Sequence, residues 1–105
     1  MKTIKRMITI VMLFAVIAPH GLLHAAGKPA EGYVPDEATA IAIAVAVWVP
    51  IYGKNRVEGK KPFKAILKDG IWFVRGSLPH GWKGGVPEAE ISKDDGRILR
   101  VSHGK

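Results

Sequence analysis

Cysteine is absent from all 105 residues. That excludes disulfides, a cysteine nucleophile, thiolate metal sites and a lipid-modified cysteine after an export signal. No histidine sits in an HExxH or other metal-ligand spacing, and Ser77, Ser92 and Ser102 belong to no nucleophile motif. The glycines of His80–Gly85 (HGWKGG) lack the strand-to-helix setting of a phosphate loop. Glu88 and Glu90 have the i, i+2 spacing of two carboxylates on one strand face, but Arg100 is the expected partner of Glu90, so the pair reads as structural. The sequence therefore calls for no enzyme activity, no cofactor and no metal. Nucleic acid is not an expected partner, because the N-terminus reads as that of an exported chain. No apolar run reaches the ~20 residues that cross a bilayer as a helix.

The N-terminus has the order of a secretory signal. Lys2, Lys5 and Arg6 precede the apolar run Met7–Ile17. Pro19 and Gly21 break that run, and small residues around Ala25 and Ala26 suit cleavage. The expected organisation is a signal peptide over 1–26 and one domain over 27–105, periplasmic or secreted, with no stable membrane span after cleavage; an uncleaved anchor is the rival reading of the leader. The full chain carries a formal charge of +7, and removing the leader brings it near +4. Lys60, Lys61, Lys64 and Lys68 form the densest basic cluster, which a solvated sheet edge would also show. A domain of this size without disulfides has a small core and depends on packing or on a partner.

GYVPDEATAIAIAVAVWVPIYG, Gly32–Gly53, dominates the mature chain. Ile41, Ile43, Val45, Val47 and Val49 alternate with alanines, which imitates a strand. Five alanines, a capping Asp36, acidic Glu37 in the first turn and the length favour a helix instead. Pro50 is expected to end it near Val49, with Gly53 as breaker. Ile41, Val45, Trp48 and Tyr52 form one stripe and Ile43, Val47 and Ile51 another, leaving only Thr39, Ala42 and Ala46 as a small-residue back. The large-residue arc is about 240° at 3.6 residues per turn, against the ~100° of an ordinary surface helix.

Asn55–Lys61 reads as polar connection. PFKAILKDGIWFVRGSLP reads as a hairpin turning at Asp69-Gly70. It sets Leu67 against Trp72, Ala65 against Val74 and Phe63 against Gly76. The core face is then Phe63, Ala65, Leu67, Trp72, Val74 and Leu78. The other face carries Lys64, Ile66, Lys68, Ile71, Phe73 and Arg75. VPEAEISKDDGRILRVS reads as a second hairpin with a three-residue loop, Asp94-Asp95-Gly96. It pairs Ile91 with Leu99, Ala89 with Val101 and Glu90 with Arg100. The sum is an α+β domain: one N-terminal helix packed on a four-stranded antiparallel meander.

Apolar surface is then in surplus. Ile66, Ile71 and Phe73, and with them Ile98, are expected on the outer sheet face among Lys64, Lys68, Arg75 and Arg100, unless the loops at Tyr33–Val34 and Trp82 cover part of it. An apolar patch with a basic rim is a candidate interaction site. The candidate partner-binding face is therefore Lys64, Ile66, Lys68, Ile71, Phe73, Arg75 and Arg100. A homodimer through the helix is the rival use of the surplus, and a general envelope binding module the rival role.

Taken as an ordered set, PDEATAIAIA, PIYG, DGxWxVxG, LPxGxxGG, EISKxDGRIL and SHGK resemble the YbbC/YhhH-type bacterial immunity proteins of the nuclear-transport-factor-two-like fold class. The resemblance covers essentially the whole mature chain. It implies a reduced version of the cone-shaped, cystatin-like fold and a protein encoded beside a polymorphic toxin, of the kind linked to Rhs elements. It also implies that the protein binds and neutralises that cognate toxin without catalysis, and it supplies no catalytic residues.

Overall fold

The computed structural model describes residues 27–104; the expected signal peptide, residues 1–26, lies outside them. Helix α1 (Glu37–Tyr52) starts at the expected cap. Asp36 has extended backbone, and its carboxylate accepts from the Thr39 N–H at 2.8 Å and from the Thr39 hydroxyl at 2.7 Å. One of the helix's orphan N–H groups is thereby satisfied. Pro50 does not end α1, contrary to expectation, and lies inside its last turn. Pro50 and Ala46 are both exposed, so the carbonyl that loses its donor is on the solvent side, where water can replace it. The helix ends instead at Gly53, whose φ of 94° is open to glycine, and whose N–H reaches the Val49 carbonyl at 2.8 Å.

The buried line of α1 is Ala40, Ala44 and Trp48. The expected stripe of Ile41, Val45, Trp48 and Tyr52 is thus rotated. Those residues, except Trp48, are half-buried, as are Ile43 and Val49, all packed against the core. Alanines at i, i+4 let the helix backbone approach the sheet, and the branched side chains then wedge in on both sides. A second short helix, α2 (Lys54–Glu58), replaces the expected polar connection. Its single turn carries Val57 into the core at 1% exposure.

The strands are β1 (Lys64–Lys68), β2 (Ile71–Arg75), β3 (Pro87–Ser92) and β4 (Ile98–His103), in the order β1-β2-β3-β4. This is the expected antiparallel meander, with α1 against β1, β2 and β3. Asp69 and Gly70 have φ of 51° and 77°, the positive pair that a twist-matched two-residue turn requires. Leu67 opposes Trp72 and Ala65 opposes Val74, as expected. The ladder stops at Lys64 and Arg75. Phe63 therefore does not pair with Gly76; it lies half-buried against Trp48, ring centroids 5.7 Å apart. The N–H of Gly76 goes to the Pro87 carbonyl at 3.0 Å. A Cβ at Gly76 would meet the Lys60 side chain at 2.9 Å, so the close crossing needs glycine.

On the core face, Ala65, Trp72 and Val74 are buried, while Phe63 and Leu78 are half-buried. Leu67 departs from expectation at 43% exposure. It lines an open depression with Asp36 and Glu37, where α1 has only begun and its polar first turn does not roof the hairpin tip. The second hairpin keeps Ala89 against Val101 and Glu90 against Arg100, but Ile91 pairs with Ile98 and not with Leu99. A β-bulge leaves Leu99 as the extra residue. Ile98, opposed to buried Ile91, consequently belongs to the helix-side register and leaves the outer face.

The segment before α1 is tied down. Tyr33 and Val34 donate backbone hydrogen bonds to the carbonyls of Asp94 and Lys93. Val34 is fully buried, and its carbonyl accepts from the Trp72 indole at 2.8 Å. The Trp48 indole donates to the Glu88 carbonyl at 3.2 Å. Both core tryptophans thus bury their rings with the N–H satisfied. His103 is held in β4 opposite Pro87 with its ring 5.0 Å from Tyr52. None of the described helices is long and apolar enough to cross a membrane.

Candidate partner-binding face

The register lays out the sheet face away from α1 as a grid, because directly opposed residues share a face. One row across the four strands is Lys64, Arg75, Glu88, Ser102; the next is Ile66, Phe73, Glu90, Arg100. A third, nearer the turn, is Lys68, Ile71 and Ser92. All seven residues of the expected partner-binding face stand on this grid. Ile66 is 66% exposed and Phe73 37%, both large apolar side chains in water. A groove of about 460 Å³ crosses the strands here, lined by Lys64, Ile66, Phe73, Arg75, Glu88 and Arg100. Lys68 and Ile71 are on the face but beyond the groove.

The grid has two unlike halves. On β1 and β2, Lys64, Lys68 and Arg75 surround Ile66, Phe73 and Ile71, and none of the three cations forms an ion pair among the described residues. On β3 and β4, the charges are mutually satisfied. The Arg100 guanidinium donates to Glu90 at 2.5 Å, to Glu88 at 3.2 Å and to the Ser102 hydroxyl at 2.6 Å. Its hydrogen bond to Glu90, then that to Glu88, hold the Arg100 pKa above its ordinary value. Arg100 is therefore a clamped cation. Glu88, outside the expected face, forms a wall of the groove; its i, i+2 spacing from Glu90, the expected partner of Arg100, was the signal that could have found it.

Neither Trp82, 70% exposed, nor Tyr33, 51% exposed, folds down as a cover. Tyr33 is instead held at the β3–β4 turn, and Val34 inserts on the helix side of the sheet. His80 is exposed in the loop before Trp82. Among the described residues, no group of three or more His, Cys, Asp or Glu side chains is placed to hold a metal ion.

Comparison with known proteins adds to this geometry. A family model described as NTF2 fold immunity protein matches residues 39–105, most of α1 and the entire sheet. An Escherichia coli (strain K12) protein named YhhH, itself described as uncharacterized, is 36% identical over 73 residues. The match takes in 69% of this chain and 58% of that relative, so the chain spans less than two thirds of the relative's length. No solved structure matches.

Proposed function

Because the chain belongs to the family of NTF2-fold immunity proteins, we propose that it binds and neutralises a cognate bacterial toxin by occluding the toxin's surface, without chemistry of its own. The observation that carries this reading is the outer sheet face: Ile66 and Phe73 stand exposed beside three cations that form no ion pair among the described residues, on the side α1 leaves bare. Exposed apolar surface rimmed by charge is costly to leave in water and favours a protein partner. The partner in this reading is a polymorphic toxin of the Rhs-linked kind encoded by the adjacent gene. The N-terminal run Met7–Ile17, ahead of cleavage near Ala25 or Ala26, would deliver the protein to the periplasm.

Co-expression with the product of the adjacent gene tests the proposal. Growth should be rescued, and the two purified proteins should form a complex. If the product is neither bound nor neutralised, the reading is lost.

One observation favours a second reading, self-association. After Glu37, α1 carries no charged side chain, and Ile51 is 56% exposed on it. Light scattering at micromolar concentration decides: a monomer removes the homodimer.

A further inference from the structure

Lys64 and Arg75 are directly opposed on neighbouring strands. Like charges so placed repel each other. The carboxylate placed to relieve them is Glu88, directly opposite Arg75 on its other side. Glu88 is engaged elsewhere, by Arg100 at 3.2 Å. Arg100 is in turn anchored by Glu90 at 2.5 Å and by Ser102 at 2.6 Å. The sheet therefore maintains two adjacent cations whose nearest counter-ion is captured by a third. Beside them in the groove are the exposed apolar side chains of Ile66 and Phe73.

We infer that the Lys64–Arg75 pair receives a carboxylate of the partner protein while Ile66 and Phe73 receive an apolar side chain next to it, and that Arg100 is a positioning residue that keeps Glu88 away from Arg75. The complementary partner surface is an acidic segment with an embedded large apolar residue. Planar guanidinium and carboxylate fit each other in bidentate fashion. The apolar floor discriminates in favour of a polypeptide over a phosphate backbone, which offers charge without an adjoining apolar group. Only the partner's identity as a toxin rests on the immunity reading; the site's chemistry does not.

The test uses the full chain and two fluorescein-labelled peptides, EELFEE and its amide counterpart QQLFQQ, by fluorescence anisotropy at low ionic strength. EELFEE should bind, and QQLFQQ should bind at least about fivefold more weakly. Lys64→Glu and Arg75→Glu should each abolish the preference. Arg100→Met should weaken EELFEE binding by about threefold to fivefold, because Glu88 then turns to Arg75. Glu88→Gln with Arg100→Met should restore it, which a merely structural role of Arg100 does not predict. If Arg100→Met fails to fold by circular dichroism, Lys64→Glu and the peptide pair still decide the site. Equal affinity for the two peptides, no binding of EELFEE, or tighter binding of a single-stranded DNA of equal charge overturns the inference. The same variants are carried into the growth assay with the adjacent gene product. Peptide binding without toxin binding removes the immunity reading and leaves the site. Toxin binding that ignores Lys64→Glu and Arg75→Glu removes the site and leaves the immunity reading.

Discussion

Phe73 and Trp72 are neighbours in one strand and do opposite work. Trp72 is 5% exposed with its indole N–H on the Val34 carbonyl, so Trp72→Ala removes packing and orphans an acceptor. It should cost about 3–5 kcal/mol in urea denaturation. Phe73→Asp places a charge where the side chain already meets water, and should weaken toxin binding while leaving the circular dichroism spectrum intact. If both substitutions unfold the protein, the two faces of β2 are misassigned. Asp36 gives a pH prediction. Its hydrogen bonds from the Thr39 hydroxyl and then the Thr39 backbone hold its carboxyl below the ordinary value, and Asp95 is lowered by the Arg97 N–H first and then by Ser92. A depressed folded-state pKa gives stability that is present above the unfolded value of about 3.9 and lost as pH falls through the folded value. The melting temperature should fall on acidification below about pH 4, and Asp36→Ala should show a smaller fall than the wild type from a lower starting point. Parallel melting curves for the two proteins would rule out the contribution from the cap.

At the scale of the element, α1 is unusual in burying its smallest residues. Ala40 and Ala44 are fully buried, whereas Ala42 is exposed on the same helix. Ala44→Leu should therefore force the helix off the sheet and destabilise by about 1–3 kcal/mol or more. Ala42→Leu should change stability by no more than about 0.5 kcal/mol. Equal effects in chemical denaturation would mean that the helix is seated on some other line. Much of the local structure was legible because it depends on neighbours in sequence. The Asp36 cap, the Asp69-Gly70 turn and the Glu90–Arg100 pairing follow from short-range chemistry. Pro50 misled because a missing donor costs little on an exposed last turn. Val57 gave no periodic signal, since a one-turn helix buries a single residue.

For the molecule as a whole, the sheet's two faces divide its labour: one is covered by α1 and the Val34 segment, and the other is left open as a half-basic, half-neutralised grid. Arg75→Glu should reduce growth rescue by the intact protein while leaving its melting temperature within about a degree or two, as exposed substitutions do. Loss of folding instead of rescue would mean that Arg75 supports the sheet. The seven face residues were recoverable from alternation alone, because strand period and turn type fix which side chains share a face. The role of Arg100 was not, because alternation places a cation without saying which carboxylates it holds.

Read by itself, the sequence determined the order of α1 and the four strands, the meander, most of both registers and the resemblance to immunity proteins. These rest on period, turn chemistry and ordered motifs, which are local along the chain. Only the tertiary structure decided that alanines form the helix seat, that Leu99 bulges and takes Ile98 off the outer face, and that Glu88 is drawn to Arg100 and away from Arg75. Each of these is a competition between partners distant in sequence, settled by how closely two backbones approach and which charges come within reach.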